Sequence, residues 1–284
     1  MHSPRPIFLV LLWAALLAPP VAAAGIGDFL SAPKAEPWAR WEVVDAESRA
    51  RVDHAAWGRF LERYVVASAD GVNRVAYGSV TAEARALLAG YLDALQKTAV
   101  GRLNRHEQFA YWVNFYNALT VRVILDHYPV ATIRDIGISP GFFAVGPWDA
   151  KLVTVEGVEL SLNDIEHRIL RPIWRDPRVH YAVNCAAIGC PNLDARPYAA
   201  EGIEERLEAA ASAYVNHPRG ARLDGGKLVV SSIYAWYGED FGGAAGVLRH
   251  LRAYAAPPLR EALAGVAAIA GDDYDWSLNA AKAY

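Results

Sequence analysis

The segment from Phe109 to Leu125 constrains the fold most. It is apolar nearly all round and holds neither glycine nor proline. Asn104-Arg105-His106-Glu107 precedes it as a capping box, with Asn104 as N-cap and Glu107 at N3, and Pro129 ends it. A helix without a polar face must be buried on most sides, so the rest of the chain has to wrap it. Glu107, Tyr111, Asn114 and Ala118 share one face, with Asn117 at its edge. Buried polar groups must be hydrogen-bonded or cost about 1–3 kcal/mol each. These residues therefore either line a polar cavity or bind passing backbone.

Around this helix the chain reads as mixed elements. Residues 25–50 form an irregular lead-in with a short helix. Helical spacing covers 54–66 (Trp57, Phe60, Leu61, Tyr64) and 81–98 (Leu87, Leu88, Tyr91, Leu92, Leu95), the second capped by Thr81. Leu152 to Leu160 reads as a hairpin turning at Glu156-Gly157, and Ser161 to Asp164 as a capping box opening a short helix that Pro172 stops. Arg178 to Cys185 has strand character. Glu201 to Val215 is helical, Asp224-Gly225-Gly226 joins two short strands, and Arg249 to Ala270 reads as helix despite Pro257 and Pro258. Helices followed by short strands mixed with helices predict an α+β fold rather than a doubly wound sheet.

Residues 1–24 read as a cleavable signal peptide: Arg5, an apolar run from Ile7 to Leu17, then Val21-Ala22-Ala23-Ala24. The expectation is a periplasmic or secreted protein with no membrane attachment after cleavage. Of 284 residues, 28 are basic and 31 acidic, a net charge of -3 that gives no footprint for nucleic acid. Oligomeric state is not legible.

Chemistry has few places to sit. Cys185 lies at the end of a predicted strand leading into a turn, where a thiol is accessible to substrate. Cys190, the only other cysteine, allows the alternative of a Cys185–Cys190 disulfide in an oxidising compartment. A nucleophilic cysteine needs a base, for which His180 and His167 are the candidates, the latter with Asp164 one turn earlier. Glu107 is either a helix cap or an acid that orients a histidine, with Asn114 and Asn117 lining the same cavity. Neither a zinc motif nor a P-loop or dinucleotide fingerprint occurs, so no metal and no cofactor are expected.

Several blocks stand out as a set along the chain. They are Tyr111-Trp112-Val113-Asn114-Phe115-Tyr116-Asn117-Ala118-Leu119-Thr120, the run Leu160 to Arg171, and His180 to Cys185 with Gly189-Cys190-Pro191. Tyr234 to Phe241 and Tyr274 to Asn279 close the set. In this order they resemble the DUF547 family. The resemblance spans residues 100–280 and makes residues 25–99 a helical lead-in to one globular unit. It implies a helical N-terminal part packed on a small, mainly antiparallel sheet, akin to papain-like cysteine proteases. It also implies a Cys-His-Glu site: Cys185, then His180 or His167, then Glu107, with Asn114, Asn117 and Asn184 near the substrate.

The leading expectation is a cysteine-dependent hydrolase or acyl transferase acting on an amide or thioester of an unidentified small molecule or peptide. The alternative is a binding module without catalysis, in which Trp148, Trp174, Trp236, Tyr234 and Tyr237 line a peptide or sugar pocket and the cysteines are bonded. A redox reading ranks last, because the four-residue spacer departs from Cys-x-x-Cys.

Overall fold

The computed structural model describes residues 33–281, so the expected signal peptide, residues 1–24, lies outside the described residues. Helix α1, Ala55–Tyr64, buries Trp57, Phe60, Leu61 and Tyr64. Helix α2, Ala82–Gln96, starts where the Thr81 side chain accepts a hydrogen bond from the Ala84 amide. Helix α3, Arg105–His127, is buried at every position from Glu107 to Val121. Asn104 Oδ1 accepts from the Glu107 amide at 3.0 Å, the N-cap its sequence predicts. Trp41 stands edge-on to Trp112 of α3 at 5.2 Å, and Trp57 shares the same apolar core. The lead-in is therefore part of the body that wraps α3.

Strands β1 (Val65–Val66) and β2 (Arg74–Val75) form a short antiparallel ladder, and β3 (Val153–Val155) pairs with β4 (Val158–Leu160) in the expected hairpin. The Ser161 capping box forms: the Ser161 amide donates to Asp164 Oδ2, and the Asp164 amide to Ser161 Oγ. The helix it opens departs from expectation. Asp164–Leu170 is a π-helix, continued by helix α4, Arg171–Trp174, so Pro172 does not stop it. The wider register explains why. The Arg171 amide bonds the Glu166 carbonyl five residues back. Pro172, which has no N–H, would in that register leave the His167 carbonyl unpaired. The Glu36 amide takes that carbonyl at 2.9 Å.

The strand expected over 178–185 is also corrected. Val179–Ala182 is a single helical turn, α5. Asp176 Oδ1 accepts from the Arg178 amide in an Asx turn, and the Val179 and His180 amides bond the Asp176 and Pro177 carbonyls. That local turn overrides the alternation of Val179, Tyr181 and Val183. Helix α6 covers Ile203–Val215. Strands β5 (Ala221–Asp224) and β6 (Lys227–Ser231) pair antiparallel around Gly225 and Gly226, both at positive φ. Helix α7, Ser232–Trp236, follows at once. The single helix expected over 249–270 is instead α8 (Gly243–Tyr254), α9 (Pro257–Ala262) and strand β7 (Ile269–Asp273). Pro257 opens a new helix because the first turn needs no N–H donor there. β7 pairs parallel to β6, so the three-stranded sheet is mixed. The architecture is α+β, with a second apolar cluster around Tyr181, Tyr214, Tyr234 and Phe241 beside this sheet.

Candidate active-site cleft

Between the two cores lies a cleft of about 340 Å³ whose lining includes Cys185, Cys190, His167, His180 and Glu166. The π-helix supplies Glu166 and His167, α5 supplies His180, and the turn after α5 supplies Cys185. Aromatic side chains make the walls: Trp148, Trp236, Trp276, Tyr237 and Tyr274. Trp236, Tyr274 and Trp276 pack on one another, with ring centres 4.7–5.5 Å apart.

Backbone geometry presents Cys185. Asn117 Nδ2 donates to the Ala182 carbonyl and its Oδ1 accepts from the Asn184 amide, which fixes the extended segment leaving α5. Ala186, the next residue after the cysteine, has φ +62°. That left-handed conformation costs a non-glycine residue about 1–2 kcal/mol. The turn is held against that cost. Asn184 Oδ1 accepts from the Ala186 amide, and Asn184 Nδ2 donates to the Pro191 carbonyl. The Asn279 amide donates to the Ala186 carbonyl. Cys185 and Cys190 form a disulfide across this loop, their Cα atoms 6.2 Å apart. The Cys185 amide donates to Cys190 Sγ at 2.9 Å, and the buried Tyr274 hydroxyl lies 3.1 Å from both sulfurs.

His180 is set apart by its partners. Its Nε2 lies 2.7 Å from Asp240 Oδ2, and its ring stacks on Tyr237 at 4.5 Å and on Phe241 at 5.7 Å. Arg171 Nε and Nη2 grip both oxygens of Asp240 at 2.6 and 3.1 Å. Burial tends to raise the Asp240 carboxyl, but the hydrogen bonds from His180 and Arg171 outweigh it and hold the group well below the usual carboxylate range. Asp240 is thus an ionised acceptor, and the proton of the His180 ring sits on Nε2. Nδ1, which lies 3.8 Å from Glu166 Oε1, is the nitrogen left to take a proton.

His167 has a different character. Arg171 Nη1 donates to its Nδ1 at 3.0 Å. Arginine only donates, so the neutral ring carries its hydrogen on Nε2. Burial lowers its pKa from 6.5 to about 4, against a smaller raising pull from Glu166. Near neutral pH it is a fixed N–H donor rather than a base.

The other sequence candidates go elsewhere. Glu107 does not orient a histidine. Its Oε1 accepts from the Val52 amide at 2.7 Å and its Oε2 lies 3.8 Å from Arg51, so it ties the lead-in to α3. Asn114 does not line the cleft; it brackets Tyr198, donating to the carbonyl and accepting from the amide. Asn117 and Asn184 likewise bind backbone, although that backbone carries Cys185. Of the aromatics, Trp148, Trp236 and Tyr237 line the cleft. Trp174 instead packs on Phe109, and Tyr234 lies buried against Tyr181 and Phe241. Asp240 and Arg171 were missed as site residues. The available signal was an acid inside the aromatic block Tyr234 to Phe241, and an arginine one turn after His167. Among the described residues, no group of three or more His, Cys, Asp or Glu is placed to hold a metal ion, and no helix is long and apolar enough to cross a membrane.

Comparison with known proteins supplies a family. Comparisons with curated proteins and with solved structures found no match. Residues 100–215, which carry α3, the π-helix, both cleft histidines and both cysteines, match the family described as "Protein of unknown function, DUF547".

Proposed function

We propose that this protein is an exported, thiol-dependent hydrolase or acyl transferase that acts on amide or thioester bonds. One observation carries the reading: Cys185 and a histidine locked to an ionised carboxylate open onto the same aromatic cleft. An accessory thiol reductant opens the Cys185–Cys190 bond, leaving two thiols here and a disulfide on the reductant. His180 takes the Cys185 proton, and the thiolate attacks the substrate carbonyl. The C–N or C–S bond breaks, and the leaving amine or thiol takes the proton from His180. Water or an acceptor nucleophile then gives up a proton to His180 and cleaves the thioester at Cys185, which restores the thiolate. Asp240 positions His180, and the His167 Nε2–H is the donor for the carbonyl oxygen. Acid–base help of this kind is worth about 10²–10⁴ in rate.

The disulfide also favours a second reading, a non-catalytic cleft in which Trp148, Trp236 and Tyr237 hold a peptide or sugar and the bond never opens. One experiment separates the two. The reduced protein is titrated with iodoacetamide at pH 6–8, beside His180→Ala and Asp240→Asn. The thiol reading expects Cys185 to label at least ten-fold faster than glutathione near pH 6.5, and slower in both variants. Labelling no faster than glutathione in all three proteins abandons it for the second.

A further inference from the structure

At the mouth of the cleft the loop 136–147 carries no charged residue, and its tip is Phe142-Phe143. These two rings are 96% and 91% exposed, and they stand edge to face at 5.1 Å with nothing apolar among the described residues covering them. Ile138 and Val145 are exposed beside them. An apolar patch of this kind on a surface marks a binding place more often than an accident.

The loop is built rather than loose. The Asp149 amide donates to Ser139 Oγ at 3.0 Å and closes its base, and the Ala144 amide donates to the Gly141 carbonyl. Gly141 and Gly146 take φ of +114° and +71° to turn the tip out and bring it back. A Cβ on Gly146 would lie 2.1 Å from the Trp148 ring, so only glycine lets the returning strand press on that wall. Phe143, Ala144 and Val145 then line the cleft beside Trp148. Apolar side chains thus lead from the loop tip, through Phe143, Ala144 and Val145, into the lining of the cavity that holds Cys185.

We propose that the cleft takes a substrate with an aliphatic acyl chain, and that residues 138–145 are the lip along which the chain enters. The chemistry performed on that chain rests on the thiol reading above; its binding does not. A sugar needs donors and acceptors beside the ring, and the one hydroxyl on the lip, Ser139, is already engaged. A bilayer needs a second signal besides a few apolar side chains, commonly a basic cluster, and the loop has no basic residue. A single acyl-bearing molecule fits both facts.

The test uses the disulfide form, which needs no chemistry. It is titrated with 11-(dansylamino)undecanoic acid, and energy transfer from the cleft tryptophans to the dansyl group is read. Dansylglycine, which has the fluorophore without the chain, is the control. The expected result is saturable binding of the long probe, at least ten-fold weaker dansylglycine, and at least ten-fold loss in Phe142→Ser/Phe143→Ser. Both phenylalanines are solvent-exposed, so the double variant is expected to keep its melting temperature. Equal affinity for the two probes, or an unchanged double variant, overturns the proposal. So does sedimentation with phosphatidylcholine vesicles in the absence of monomeric probe binding. A parallel assay of acetyl and dodecanoyl thioesters on reduced protein separates the two claims. Turnover that ignores chain length sinks the lip and leaves the thiol reading standing. Probe binding without any turnover does the reverse.

Discussion

Asp240 receives the Nε2–H of His180 at 2.7 Å across sixty residues of chain. The same carboxylate is gripped by Arg171, and that arginine also donates to His167. One carboxylate and one arginine thus set the tautomers of both cleft histidines.

Asp240→Asn removes the charge while keeping the shape. His180 is then free to place its proton on either nitrogen, and Arg171 loses its anion. On the proposed thiol chemistry, turnover by the reduced protein should fall by about 10²–10⁴, the size of an acid–base contribution. A kcat within a factor of three of wild type would remove Asp240 from the mechanism.

Acid should unfold the protein earlier than its carboxylates alone require. His167 stays neutral down to about pH 4 when folded, whereas a free histidine protonates near 6.5. Between those values the unfolded chain binds more protons. Stability is therefore full above pH 6.5 and declines as pH falls toward 4, by about 3 kcal/mol at most from this group. Burial also lowers His54 and His250 to about 4, with the same sign. Urea melts from pH 7 to 4 check this, and His167→Gln should flatten the slope.

Reducing the Cys185–Cys190 bond reopens a loop with a sequence separation of five. Chain-entropy reasoning for so short a loop gives about 2 kcal/mol. Intact mass before and after reduction should differ by about 2 Da per chain, and the midpoint of chemical unfolding should drop accordingly. A thiol titre of two in protein never exposed to reductant would contradict the bonded state.

Glu107→Ala separates fold from chemistry. The variant strips the Val52 amide of its acceptor and should cost about 1–3 kcal/mol. Its carboxylate lies outside the cleft lining, so the alkylation rate of reduced Cys185 should match wild type. A rate loss larger than three-fold in folded protein would return Glu107 to the site.

Gly146→Ala should displace Trp148. The strained φ and the collision with the ring together should cost about 1–3 kcal/mol. Intrinsic fluorescence and the melting temperature read the shift. An unaltered spectrum would mean the loop base is softer than its packing implies.

The helical body was legible because its signals are local. The Asn104 and Thr81 caps and the apolar stripe of α1 each depend on neighbours within one turn, and each stands as the sequence suggests. The alternation and periodicity mislead where another interaction outvotes them. Asp176-Pro177 turned an alternating run into α5, and a parallel partner made residues 269–273 a strand. Cys185 and His180 were visible as chemistry-bearing residues. Their setting was not, because Asp240 reaches His180, and Tyr274 reaches Cys185, through long-range contacts that no spacing encodes. Glu107 misled for the same reason: a buried acid on an apolar helix looks alike whether it faces a cavity or a passing amide.

The π-helix has a further consequence. Glu36 holds the His167 carbonyl, and the Pro33 carbonyl receives Arg171 Nη1 at 2.8 Å. The stretch 33–36 therefore acts as a splint across the turn that aims both His167 and the arginine behind Asp240. An addition placed just ahead of residue 33 should be felt on the histidine side of the cleft, and one after residue 281 on the cysteine side, where the Asn279 amide holds the Ala186 carbonyl and the Ala281 amide the Val75 carbonyl. A handle at either end needs a spacer long enough to leave both braces intact.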